Sequence, residues 1–306
     1  MPYQTIFRFS AIIITALLAW LLPGETEWKS VVASLGFGHF ALSLFYARRQ
    51  ASQLLTSRRF AIPLVLTTLL GIGLYFRQFP LVFVFAVHHV CNEVYLMGRT
   101  LPRIQGRGLE VFRWTTMLLH AFAYLTILRN YGAVAELNST WLLAGYVGSL
   151  CLFLVALLRI RKSFDRISLI ENSALEVGSV LLVGLSYLVQ IGFLEVVCYH
   201  FVFWCFLPLP KLGERGNGPV VSYLLMTAGA TGLFLLLSPL GFRNYEIGGS
   251  LYFNQFLLWS YIHVVSSFAL SRSHPQWISR WFWKPKTVAR RLRPVSAQDK
   301  KKGGAR

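Results

Sequence analysis

Charged residues are scarce in this chain. Only 14% of its 306 residues are Asp, Glu, Lys or Arg, whereas 55% are hydrophobic, and the mean hydropathy is +0.53. Soluble domains carry about a quarter charged residues. The shortage excludes an ordinary soluble protein, and the recurring long apolar runs predict an all-α, polytopic transmembrane helical bundle.

Acidic residues are fewer than basic residues. The chain has 12 Asp and Glu and 30 Lys and Arg, which gives a net charge of +18. The basic residues gather in every second loop and in the tail, as membrane topology demands, so we predict no nucleic-acid partner. The four cysteines form no CxxC pair and all lie in apolar runs, which favours buried thiols over disulfides.

The motifs of common soluble enzymes are also missing. The sequence contains no HExxH, no Walker loop, no GxSxG and no dinucleotide-binding glycine fingerprint. The clustered histidine boxes of membrane fatty-acid desaturases are absent too. Any chemistry therefore depends on polar residues inside the apolar runs.

The apolar runs predict ten membrane-spanning helices. Their boundaries are 6–22, 30–47, 60–76, 80–97, 111–128, 140–158, 173–192, 194–210, 220–239 and 251–270. All but four of the 30 Lys and Arg then fall on one side of the membrane. The positive-inside rule makes that side, and both termini, cytoplasmic.

This topology gives a transmembrane domain over residues 1–270 and an aromatic and basic tail at the membrane surface over 271–306. We expect an integral protein of a bacterial inner membrane, in contact with membrane lipid. The sequence leaves open whether the chain is a monomer, a homo-oligomer or part of a larger membrane complex.

Histidine is the residue that is unexpectedly frequent at depth. Six of the seven histidines fall inside predicted spans: His39, His88, His89, His120, His200 and His263. Spans two, four, eight and ten run in the same direction, so their histidines are predicted at similar depth. Ionisable residues inside a membrane usually mark function, and neutral imidazole is the commonest protein ligand for transition metals. The pattern predicts a shared metal or cofactor site, with His120 as a fifth candidate.

In span four, helical spacing separates two adjacent histidines. Neighbouring helix residues point about 100° apart, so His88 and His89 do not easily face one site. His89 shares a face with Glu93, which would orient it, and His88 shares a face with Asn92. Both histidines stay candidates for the single ligand that this span supplies.

Other polar and aromatic residues inside or beside the spans are candidates for the surroundings of the metal or for a substrate pocket. They are His120, Glu176, Glu195, Tyr199, Trp204 and Tyr261. The acids need a partner at depth, and the aromatic residues would line a hydrophobic channel.

Four histidine-bearing segments, "GFGHFALS", "VHHVCNEV", "CYHFVFW" and "SYIHVVSS", resemble the Brp/Blh family of membrane-bound carotene dioxygenases, which cleave β-carotene to retinal. The resemblance implies a non-haem iron held by His39, by His88 or His89, by His200 and by His263. Three features depart from the family: Ser43 stands where it has an acid, Trp204 stands where it has a second histidine, and the glycine of its second segment is absent.

These observations predict a membrane-embedded oxygenase that uses non-haem Fe²⁺ and O₂ on a long apolar substrate. The resemblance makes carotenoid cleavage to retinal-like aldehydes the specific version. One alternative is a haem- or pigment-binding subunit without catalysis, with histidines as axial ligands. The other is a proton-coupled transporter in which buried His and Glu relay protons.

Overall fold

The computed structural model describes residues 3–22, 24–56, 58–100, 107–130, 136–163, 177–189, 191–241 and 245–270. Every regular element in these ranges is a helix. The predicted all-α class is therefore confirmed for the described part of the chain.

Nine of the ten predicted spans overlap one helix each, and the eighth, 194–210, overlaps two. The helices are α1 (Tyr3–Leu21), α2 (Glu25–Leu55), α3 (Arg58–Phe76), α4 (Leu81–Thr100), α5 (Arg107–Asn130), α6 (Ser139–Ile160), α7 (177–185), α8 (Phe193–Phe206), α9 (Leu209–Gly213), α10 (Asn217–Leu237) and α11 (Tyr245–Leu270). The short α9 was not predicted as a separate element. It forms because Pro208, which cannot continue the hydrogen bonding of α8, starts a new turn.

Within the described residues, six segments are long and apolar enough to cross a membrane. They are Tyr3–Leu21, Glu25–Arg49, Glu110–Asn130, Ser139–Ile160, Phe193–Gly213 and Asn217–Leu237. Helix α11 is long enough but is not among them, because its Asn, Gln, His and Ser residues lower its mean hydropathy. The count of ten spans and the cytoplasmic location of both termini stay predictions.

Helix α2 is longer than predicted, with 31 residues from Glu25 to Leu55. Glu25 and Glu27 extend its first turn, where acidic side chains interact favourably with the positive end of the helix dipole. Helix α2 contacts α3, α8, α10 and α11.

The buried apolar side chains form two main clusters. The larger cluster joins α1, α2, α4, α5, α8 and α11 around Phe37, Phe85 and Phe201. The smaller one joins α5, α6 and α7 around Phe112 and Phe153. Helix α4 packs on α5 and connects the two, so polar side chains of α4 lie near the centre of the bundle.

Glycine allows an unusually close contact between α3 and α11. A Cβ atom placed on Gly71 would lie 2.9 Å from the backbone oxygen of Tyr261 and 3.1 Å from Cα of Ile262. Backbone atoms cannot rotate away as a side chain can. Gly71 therefore fixes the separation of the two helices directly before His263.

We expect Gly71→Ala to destabilise the protein by about 1–3 kcal/mol, because the added methyl overpacks a backbone contact. Gly73→Ala on the same helix is the matched control, since a Cβ atom there meets nothing within 4 Å. Thermal unfolding in detergent measures both variants. Equal midpoints for the two alanine variants would contradict the close contact.

Candidate functional site

Four histidines from four different helices meet inside the larger cluster. Ring centroids are 5.0 Å apart for His39 and His263, and 5.7 Å for His263 and His88. The separations are 5.3 Å for His88 and His200, and 5.8 Å for His200 and His39. The rings of α2, α11, α4 and α8 therefore form a closed circuit, which we call the histidine cluster.

All four rings line one cavity of about 410 Å³. His88 and His200 are almost fully buried. The remaining lining is mainly aromatic and aliphatic, with Phe40, Leu44 and Trp259 among its members. A mostly apolar cavity with a few converging polar groups is the usual form of a small-molecule site.

Two serines orient two of the imidazoles. Ser43 Oγ donates to the carbonyl of Phe40 at 2.9 Å, so it accepts from Nδ1 of His263 at 3.3 Å. Ser267 Oγ likewise donates to the carbonyl of Val264 at 2.7 Å and accepts from Nδ1 of His88 at 2.8 Å. Both contacts place the imidazole proton on Nδ1 and leave the lone pair on Nε2.

His88 carries a further contact at its other ring nitrogen. The side-chain amide of Asn92 lies 2.9 Å from His88 Nε2 and donates to its lone pair. Asn92 also lines the cavity. For His88 Nε2 to bind a metal, the Asn92 amide would have to give up this hydrogen bond.

His89 faces a second cavity, of about 420 Å³, which it lines together with His120, Tyr124 and Tyr199. Its ring still lies 5.8 Å from that of His200. The adjacent residues His88 and His89 therefore line different cavities, as the rotation of 100° per residue of a helix predicts. Of the two candidate ligands, His88 belongs to the histidine cluster.

No group of three or more His, Cys, Asp or Glu side chains in the described ranges forms a ready-made metal site. The serine and asparagine contacts turn the rings of His88 and His263 toward protein partners. The spacing nevertheless fits a metal, because two imidazoles bound at about 2.1 Å to one ion have centroids roughly 4.5–6.5 Å apart.

The other predicted residues divide between the two cavities. Trp204 lines the histidine-cluster cavity, 6.0 Å from the ring of His200. His120, Tyr199 and Glu195 line the second cavity, and Glu195 accepts a 2.9 Å hydrogen bond from the indole of Trp28.

Tyr261 lies apart from both cavities, because its hydroxyl donates to the carbonyl of Phe79 in the turn between α3 and α4. The Glu93 side chain and the whole of Glu176 lie outside the described residues. The proposed pairing of Glu93 with His89 stays a prediction.

Sequence reasoning missed the two orienting serines, although the sequence contains a signal for them. Ser43 follows His39 by four residues, and Ser267 follows His263 by four. Asn92 stands in the same relation to His88. A small polar residue four positions after a buried histidine lies on the same helix face and at the same cavity.

The chain matches no protein-family model, no curated protein and no solved structure.

In metal-free protein we expect His88 and His263 to carry their proton on Nδ1. Long-range ¹⁵N–¹H correlation spectra of protein labelled with ¹⁵N-histidine report this proton position, and His→Gln variants assign the signals. Ser43→Ala should remove the preference at His263 only, whereas at His88 its removal should need Ser267→Ala together with Asn92→Ala, because the Asn92 amide also donates to His88 Nε2.

Ser266→Ala is the control, because Ser266 lines the same cavity but bonds Thr68 at 3.2 Å. It should leave both histidines unchanged. A proton found on Nε2 of His88 or His263 would refute the serine assignment.

Proposed function

We propose that this protein is a membrane-embedded oxygenase that holds a non-haem iron(II) ion in the histidine cluster and acts on a long apolar substrate. The observation that carries the proposal is the convergence of His39, His88, His200 and His263 on one apolar cavity, with neighbouring centroids 5.0–5.8 Å apart. The proposal includes the ten-span topology with both termini in the cytoplasm of a bacterial inner membrane.

The cost of burying histidines supports a functional site. Polar side chains at membrane depth are rare and usually form a pathway or a binding centre. One such histidine is easily satisfied by packing, whereas four that contact one another need a common reason. A metal ion supplies that reason, because each neutral imidazole can offer a lone pair to it.

When bound, an iron(II) ion with open coordination positions supplies oxygen activation. The chain's own residues supply the rest. Ser43 and Ser267 keep the protons of His263 and His88 on Nδ1, which leaves Nε2 of His263 for the metal, and Nε2 of His88 once the Asn92 amide releases it. Phe40, Leu44 and Trp259 form an apolar wall that would position an apolar substrate.

The spacing of the rings favours a single ion over the haem- or pigment-binding alternative. A haem or chlorin needs a wide flat space between two axial histidines. In the histidine cluster each ring lies 5.0–5.8 Å from two others, so such a disc would collide with the remaining pair.

Carotenoid cleavage is the specific form of the proposal, and it rests on the resemblance to the Brp/Blh family. Two features of the described chain bear on that resemblance. Ser43, at the position of the family's acid, contacts His263. Trp204, at the position of the family's second histidine, lines the same cavity as His200.

We expect purified protein loaded with Fe²⁺ under anaerobic conditions to retain about one iron per chain, with no Soret absorption. His39→Ala, His200→Ala and His263→Ala should each lower retained iron at least tenfold, because each removes one of a small set of ligands. Elemental analysis after gel filtration measures the iron content.

His120→Ala is the matched control, since His120 is also buried in the bundle but lines the other cavity. It should retain iron at the level of the unchanged protein, and so should His89→Ala. A Soret band, or equal iron in the control and in the cluster variants, would refute the proposed centre.

The oxygenase activity is tested with β-carotene in iron-loaded nanodiscs under ¹⁸O₂. We expect central cleavage to give two retinal molecules that each carry one ¹⁸O atom, as a dioxygenase requires. Mass spectrometry of the extracted aldehydes measures the label. Iron binding without aldehyde would refute carotenoid cleavage and leave the metal centre intact.

A further inference from the structure

The four helices that carry the histidine cluster run through it in the same direction. Residue numbers rise together along both members of each pair of helices in contact. The contacting pairs are Phe37–Phe256 and His39–His263 between α2 and α11, Trp28–Glu195 and His39–His200 between α2 and α8, and His88–His263 and Cys91–Ala269 between α4 and α11. Residues that follow each histidine therefore lie on one side of the histidine cluster.

The cavity of about 410 Å³ lies on that side. On α2, α4 and α8 its lining begins at the histidine and continues toward the C-terminal end of the helix. On α11 the lining begins one turn earlier, at Trp259. The last lining residues of the four helices are Ala47, Asn92, Trp204 and Leu270.

The opposite side of the histidine cluster is packed with aromatic rings. Phe37, Phe85 and Phe256 are all buried members of the larger apolar cluster. The ring centroid of Phe85 lies 5.2 Å from that of His200, and the ring centroids of Phe37 and Phe256 are 5.7 Å apart. Among the described residues, the imidazoles therefore stand at the closed end of the cavity.

Three large side chains that line the cavity are also exposed on the outside of the bundle. Leu44, Tyr46 and Trp259 are between 41% and 49% exposed. A side chain that faces both a cavity and the exterior marks the place where the cavity opens. We call these three residues the mouth. They lie on α2 and α11, the helices of His39 and His263.

The mouth lies at membrane depth. Leu44 and Tyr46 belong to the segment Glu25–Arg49, which is long and apolar enough to cross a membrane. Leu44 precedes Arg49 by five residues, or about 7.5 Å along the helix axis. Side chains exposed at this level of a spanning helix face hydrocarbon, whose thickness is about 30 Å. The mouth therefore opens toward lipid chains.

From this geometry we infer that the histidine cluster receives its ligand sideways from the membrane hydrocarbon, through the mouth between α2 and α11. The sizes of Leu44, Tyr46 and Trp259 then determine which apolar molecules reach the imidazoles. The inference rests on the proposed function for the apolar character of the ligand, whereas the route itself needs no metal.

The test uses 3-trifluoromethyl-3-(3-iodophenyl)diazirine, an apolar photolabel that dissolves in the bilayer, and metal-depleted full-length protein in nanodiscs. Light releases N₂ from the label and leaves a carbene, which inserts into bonds that it touches. We expect label on Ser266, which is buried and lines the cavity. We also expect it on Leu251, which is exposed on the same helix. Tandem mass spectrometry of the peptides measures both positions.

Substitutions at the mouth should change the label at Ser266 in opposite directions. Leu44→Trp should lower it severalfold, because the larger side chain obstructs the opening, and Trp259→Ala should raise it. Leu257→Trp is the matched control, since Leu257 is also an exposed leucine but does not line the cavity. This variant should leave the label at Ser266 unchanged. Thermal unfolding shows that each variant is folded.

A second photolabel distinguishes entry from lipid and entry from water. The compound 4-(3-trifluoromethyl-diazirin-3-yl)benzoate has the same reactive group, but its carboxylate keeps it in water. It should not label Ser266. Labelling of Ser266 by the benzoate would overturn the inference. So would equal labelling by the apolar compound in Leu44→Trp and Leu257→Trp, or label on Leu251 with none on Ser266.

The outcome of this test is separate from that of the proposed function. The protein in the nanodiscs holds no metal, so the labelling of Ser266 does not depend on iron or on activity. Failure of the histidine cluster to retain iron would refute the oxygenase and leave the route intact. Loss of the labelling pattern would refute the route and leave the metal centre intact.

Discussion

The fold depends on the need to satisfy polar side chains away from water. In an apolar bundle a buried imidazole finds its partners only on neighbouring helices. Here α2, α4, α8 and α11 each contribute one imidazole to the histidine cluster, so each ring has neighbours from other helices. Ser43 and Ser267 then tie α2 to α11 and α11 to α4 through the rings themselves. The same contacts that satisfy the imidazoles hold the central helices in register.

Helix α11 illustrates how a polar face that lines a cavity lowers the mean hydropathy of a helix. His263, Ser266 and Ser267 all line the histidine-cluster cavity, and residues of this kind lower the hydropathy of α11. Its partner α3 compensates by close packing at Gly71. Helix α10, in contrast, lies at the periphery, and most of its side chains are exposed. A helix whose polar face lines an inner cavity needs less exposed apolar surface than such a peripheral helix.

The sequence predicted the helices well, because long apolar runs and alternating basic loops are strong signals. The predicted depths of the histidines in the membrane also grouped the residues that form the histidine cluster. The rotation of 100° per helical residue predicted that His88 and His89 point in different directions. The sequence could not assign His120, Tyr199 and Glu195 to a separate cavity, because that depends on how α1 and α8 pack.

The two cavities are separated by little more than a pair of imidazoles. The His200 ring lines one space, the His89 ring lines the other, and their centroids are 5.8 Å apart. Phe85 packs against both rings. Because these two rings lie between the cavities, a movement of the pair into one cavity would enlarge the other, so the volumes of the two cavities are linked.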